Sequence, residues 1–147
     1  MKTDQSTKRK MSRKKLLQGY DHPIEMTKLY DVPAIELAKS FIDKDPVAHI
    51  HIPALAGKAG INEFKLKLGF RELFRTSPYQ YRLHLCLEKA RELLEDTDDT
   101  IDQIAYKVGF DTYNGFSTAF KKAFSVAPTE YRRHRRRNVS HAMLNPF

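Results

Sequence analysis

Between residues 52 and 132 the chain carries one pattern twice, and any fold it adopts has to build the same unit two times over. Displaced by 49 residues, Ile52 falls on Ile101, Ala56 on Ala105, Lys58 on Lys107 and Gly60 on Gly109. One extra residue, Asp111, then moves the displacement to 50. Leu66 meets Phe116, Phe70 meets Phe120, Phe74 meets Phe124, Pro78 meets Pro128, Tyr81 meets Tyr131 and Arg82 meets Arg132. Nine of the 31 paired positions are identical, where unrelated stretches share about two at ordinary residue frequencies. Helical periodicity alone repeats apolar spacing, but not a glycine, a proline and a tyrosine along with it.

Each copy has the form that two crossed helices require. A small residue, Ala56 or Ala105, allows close approach of the helix that follows. Four positions later Gly60 or Gly109 supplies the positive φ of a tight turn. Ile61 or Phe110 then plugs the turn, and an amphipathic helix follows. A single such match is weak, but two in register define tandem helix-turn-helix units.

The flanking pattern is helical as well. Val32, Ile35, Leu37, Ala38, Phe41 and Ile42 recur at near-helical spacing, with Asp31 as N-cap and Pro33 in the first turn. Pro46 ends that helix. Asn62 caps a helix with Leu66, Phe70, Leu73 and Phe74 on one face. A long helix over about 78–95 carries the stripe Leu83, Leu87, Ala90 and Leu94, flanked by Cys86 and Leu93. Thr100 and Gln103 have the spacing of a capping box, and a last helix over about 128–137 enters the basic run Arg132 to Arg137. No period-2 segment competes, so the fold is expected to be all-α. The division is a basic N-terminal arm over 1–31, expected to be disordered, a domain over 32–137, and a tail over 138–147. Within the domain the two helix-turn-helix units cover about 52–75 and 100–124.

The net charge of +8 over 147 residues favours an anionic partner. No apolar run reaches membrane-span length, and the basic N-terminus has no apolar segment behind it to make a secretory signal. One cysteine, Cys86, fits a reducing compartment. The six histidines are scattered without metal-ligand spacing, and neither a nucleophile motif nor a phosphate-binding glycine loop occurs. No metal, cofactor or effector site is therefore expected, nor an enzyme activity.

The residues resemble the DNA-binding domain of the AraC/XylS family. The second copy carries the likeness through Ile104, Ala105, Val108, Gly109, Phe110, Phe116, Phe120, Lys121, Phe124, Pro128, Tyr131 and Arg132, and the first through Leu55, Ala56, Gly60, Asn62, Leu66 and Phe70. Leu87 to Leu94 is similar to the family's linker helix. The resemblance covers about Val32 to Arg136. It implies seven helices, with two homeodomain-like helix-turn-helix subdomains joined by a long linker helix. Each subdomain would place a recognition helix in successive major-groove segments of promoter DNA. Two positions depart from the family, which usually has glycine where this chain has Arg75 and Ser125. A basic residue is also common at the position of Cys86.

At 100° per residue, taking Leu66 and Phe70 inward sends Phe64, Leu68, Arg71 and Arg75 outward, with Lys67 on the flank. The corresponding set in the second copy is Asn114, Thr118 and Lys121, flanked by Tyr113 and Ser117. With Asn62, Glu63 and Thr112 at the helix starts, these are the candidate DNA-contacting residues. Asn114 suits adenine, Thr118 a thymine methyl, and Lys67, Arg71 or Lys121 a guanine or a phosphate. For Glu63, stabilising the helix dipole is the competing role. Arg132, Arg133, Arg135 and Arg136 are candidate phosphate contacts. The acidic run Glu95 to Asp99 is expected to lie away from DNA.

The expected function is sequence-specific regulation of transcription in a bacterial cytoplasm, at the nucleoid, with double-stranded DNA as partner. The resemblance implies action on RNA polymerase, usually as an activator. Two alternatives remain open. One is a protein-interaction module with degenerate DNA readout; the other is part of a DNA-repair alkyl-transfer protein using Cys86.

Overall fold

The computed structural model describes residues 31–144, with side chains described up to Ser140. Every regular element among them is a helix: α1 (Val32–Lys44), α2 (Ile52–Ala59), α3 (Glu63–Phe74), α4 (Pro78–Asp96), α5 (Ile101–Lys107), α6 (Tyr113–Phe124) and α7 (Pro128–Leu144). The expected arm over 1–31 lies outside the described residues, Asp31 excepted.

The helix boundaries follow from local chemistry. Asp31, Asn62, Ser77, Thr100 and Thr112 each accept a backbone N–H of the first turn through a side-chain oxygen. Thr100 and Gln103 make the reciprocal pair that their spacing predicts. Gly60 ends α2 at φ 74°, and the glycine after α5, Gly109, stands at φ 90°. Arg75 and Ser125 close α3 and α6 at φ 56° and 63°, left-handed without being glycine.

Two separate apolar cores result. The first joins Ile35, Ala38 and Ile42 of α1 to Leu55 and Ala56 of α2 and Leu66 and Phe70 of α3. The second joins Cys86, Leu87, Ala90 and Leu94 of α4 to Ile104, Ala105, Phe116 and Phe120. Helix α4 serves both, with Tyr81 and Leu85 against the first core and Leu83, Cys86, Leu87, Ala90, Leu93 and Leu94 in or against the second.

The duplication reaches further back than the helix-turn-helix units. Displaced by 52 residues, Ala34, Ile35, Ala38 and Ile42 fall on Cys86, Leu87, Ala90 and Leu94, and all eight are buried. Lys39 falls on Arg91 and Asp43 on Glu95. The cations repeat a contact: Lys39 lies 5.8 Å from the Phe74 ring and Arg91 lies 5.8 Å from the Phe124 ring. Ring pairs repeat too, Phe70–Phe74 at 4.9 Å beside Phe120–Phe124 at 4.6 Å, and Phe70–Tyr81 at 5.9 Å beside Phe120–Tyr131 at 5.7 Å. Each subdomain is thus an opening helix, a helix-turn-helix pair and a closing helix. Helix α4 closes the first and opens the second.

Apart from the candidate interface, the structure differs from expectation in three places. Leu37 and Phe41 on α1 are 44% and 38% exposed, because the buried stripe is Ala34, Ile35, Ala38 and Ile42. Leu73 is 36% exposed, while Phe74 turns onto the first core. Helix α7 continues past Arg137 to Leu144, since neither proline nor glycine occurs between those two residues.

Candidate nucleic-acid interface

Helices α3 and α6 are the second helices of their pairs, so their outward faces form the candidate surface. On α6, Asn114, Thr118 and Lys121 are exposed, and their side chains form no hydrogen bond among the described residues. Tyr113 is 37% exposed and Ser117 half-buried. Thr112 spends its hydroxyl on the N–H of Gly115, 3.1 Å away, and so fixes where the helix starts. This face is polar and unengaged.

The α3 face is less uniform. Phe64 is 68% exposed, an apolar ring with nothing covering it among the described residues. Leu68 does not share that exposure, for it rests half-buried on the first core. Arg71 and Arg75 are exposed. Lys67 pairs with Glu63 at 3.5 Å on the surface, while Asn62 accepts the Lys65 N–H at 2.8 Å as N-cap.

The basic run on α7 divides by what each side chain touches. Arg132 is half-buried, and its guanidinium donates to the carbonyls of Leu94 at 3.2 Å, Asp99 at 2.5 Å and Thr97 at 3.3 Å. Burial and the neighbouring Arg136 lower its pKa from the usual arginine value. Arg135 meets Glu95 at 2.8 Å and Arg136 meets Asp98 at 2.5 Å. Arg133 and Arg137 are exposed and make no side-chain hydrogen bond or ion pair among the described residues. Glu95, Asp98 and Asp99 of the acidic run are correspondingly occupied, with the Asp99 carboxylate held by Lys107 at 2.6 Å. Sequence reasoning missed this clasp; the Tyr81/Tyr131 and Arg82/Arg132 pairs were the signal for it.

Arg82 repeats the arginine's role. Its Nε donates to the Ala48 carbonyl and its Nη2 to the Val47 carbonyl, both at 3.1 Å. The Cys86 thiol, 1% exposed, donates to the Pro46 carbonyl at 3.1 Å. Burial pushes that thiol above the ordinary cysteine value, which is the opposite of what a reactive thiolate needs. Among the described residues no cluster could hold a metal ion, and no helix is long and apolar enough to cross a membrane.

Two crossed-helix pairs with exposed second helices define a helix-turn-helix domain, and residues 55–134 match a family model described as a helix-turn-helix domain. The regulator MtrA of Neisseria gonorrhoeae is 31% identical over 97 residues, 66% of this chain and 32% of that protein. The transcriptional activator RhaS of an Enterobacter strain is 46% identical over 59 residues, 40% of this chain and 21% of that protein. An AraC-type regulator structure from Chromobacterium violaceum superposes with a TM-score of 0.65 at 29% identity, covering 70% of this chain and 92% of that one. The chain belongs to the AraC family of helix-turn-helix DNA-binding domains. It spans a third or less of the length of these two curated relatives.

Proposed function

We propose that this chain is the DNA-reading part of a bacterial transcription regulator, placing α3 and α6 in successive major-groove segments of promoter DNA. The observation that carries this reading is the α6 face, where Asn114, Thr118 and Lys121 stand exposed and unengaged among the described residues on a rigidly capped helix. A bidentate amide for adenine, a methyl-bearing hydroxyl for thymine and a cation for guanine or phosphate make a compact base-reading set. Tyr113 and Ser117 flank it, and Thr112 orients it. On α3, Arg71 and Lys67 offer cations and Phe64 offers apolar surface to a thymine methyl, while Asn62 and Glu63 set the helix start.

Phosphate neutralisation falls first to Arg133, with Arg137 one turn on. Arg135 and Arg136 share their charge with Glu95 and Asp98, and Arg132 serves the fold. Activation through contact with RNA polymerase fits the likeness to RhaS, a transcriptional activator. Such a protein acts in the bacterial cytoplasm, at the nucleoid, and performs no chemistry of its own.

Selection from a random duplex pool at two salt concentrations tests this. A bipartite motif with salt-dependent affinity is the expected outcome. Failure to enrich any motif would leave a protein-interaction module as the better reading.

A further inference from the structure

The two apolar cores share no buried residue, yet the first subdomain reaches the turn of the second. The connection between α1 and α2 runs back over α4 at Pro46, Val47 and Ala48, and three carbonyls in a row are taken up there. Cys86 donates to the first, Arg82 Nη2 to the second and Arg82 Nε to the third. The same Val47 stands against Gly109, the turn glycine of the second helix-turn-helix. A Cβ built on Gly109 would lie 3.3 Å from the Val47 carbonyl oxygen, 3.4 Å from Arg82 Nη2 and 3.6 Å from Val47 Cγ1. Gly60, at the equivalent turn of the first unit, has nothing within 4 Å of such an atom. Duplicated positions therefore differ in what they face, and the difference lies at the junction between the subdomains.

Resting on the bipartite reading above, we infer that the Pro46–Ala48 loop is a coupler that holds the two recognition helices in one mutual orientation. Arg82 acts as its positioning residue, and half-site spacing is the property it sets. The loop belongs to the first subdomain and Gly109 directly precedes the Phe110 plug of the second. Arg82 forks across both loop carbonyls and lies beside Gly109, so it ties loop, linker helix and turn together. Its head group is committed to backbone acceptors, so it contributes orientation and makes no base or phosphate contact.

Geometry that permits simultaneous engagement is worth about 100-fold or more in affinity, and geometry that forbids it loses that gain. The test uses the full chain on the duplex recovered by selection and on versions with one or two base pairs inserted between half-sites. Each inserted pair turns the second half-site by about 34°, at roughly 10.5 base pairs per turn. Wild-type protein is expected to lose about 100-fold across this series. Arg82→Met keeps the side-chain stem and removes the fork, and Arg82→Lys keeps the charge and removes the second bond. Both are expected to flatten the series to within about fivefold, since a relaxed junction follows the displaced half-site, while affinity for a duplex with a single half-site stays as in wild type. Variants as steep as wild type overturn the coupler and leave the bipartite reading intact. Loss on single half-sites in both variants assigns Arg82 to folding or to DNA contact and overturns it as well. A wild-type protein that selects no bipartite site overturns the functional reading and this inference together.

Discussion

The Tyr131 hydroxyl donates to the carboxylate of Glu95, 36 residues earlier, as the Tyr81 hydroxyl donates to Asp43, 38 residues earlier. In both subdomains a tyrosine in the first turn of the closing helix holds the last turn of the opening helix. In each copy the pair fixes the two helices that flank the helix-turn-helix unit. The bond from Tyr131 and the charge of Arg135 keep Glu95 below the usual glutamate range against the opposing pull of burial. A carboxylate whose folded pKa is lowered stabilises the fold above its unfolded value, near 4.3, and that stability disappears as pH falls through the folded pKa. Glu95→Gln should therefore melt below wild type at neutral pH, and the gap should close as pH falls below the unfolded value and through the lowered folded pKa. Tyr131→Phe should cost about 1 kcal/mol at neutral pH, the worth of a partly exposed charge-assisted bond. Melting curves across pH read both, and a constant gap between Glu95→Gln and wild type contradicts the assignment.

The left-handed caps at Arg75 and Ser125 carry a backbone penalty that glycine avoids. Ser125→Gly is expected to stabilise the second subdomain by roughly 1 kcal/mol, raising the melting temperature by a few degrees. Serine is the cleaner position, because Arg75 also adds a cation beside the α3 face. A variant that melts at or below wild type would show that Ser125 makes a compensating contact.

The two turn glycines separate strain from crowding. Both hold positive φ, so Gly60→Ala should cost about 1 kcal/mol from the backbone alone. Gly109→Ala meets the Val47 carbonyl in addition, and the expected cost rises to about 2–3 kcal/mol because neither backbone can yield freely. Chemical denaturation compares them directly, and equal costs would remove the Val47 contact from the account.

Much of this architecture is legible in the sequence because its determinants are local. Asp31, Asn62 and Thr100 are caps by residue type, and the Gly60/Gly109 repeat locates both turns before any packing is considered. The match of α1 to α4 is harder to see. Its displacement of 52 differs from the 49 that follows, since the connection after α1 is three residues longer, and the identities there are few beside apolar matches such as Ile35 with Leu87. The fate of the arginines is not legible at all. Arg132 to Arg137 read as one basic run, and only the return of α7 along α4 gives Glu95, Asp98 and the α4 carbonyls to some of them and not to others. Leu68 is similar, for a helical wheel places it opposite Leu66 but cannot show how far the first core wraps around α3.

That division of the arginines gives the sharpest test of the phosphate contacts. Arg133→Ala removes an exposed cation with no intrachain acceptor among the described residues. It should weaken binding to all duplexes alike and lower the slope of log affinity against log salt by about 0.9, the value for one phosphate on B-form DNA. Its melting temperature should match wild type. Arg132→Ala should do the reverse, because it strips the carbonyls of Leu94, Thr97 and Asp99 of a shared donor. An expected cost of about 2 kcal/mol follows from leaving partly buried acceptors unpaired, with little change in salt slope for the molecules that remain folded. Lys121→Ala provides the third corner, altering recognition of one half-site and leaving the other as it was. Salt titrations and melts on the three variants separate fold, charge and base reading; a slope lowered equally in Arg132→Ala and Arg133→Ala would put both side chains on the phosphates, and a wild-type slope in Arg133→Ala would take it off them.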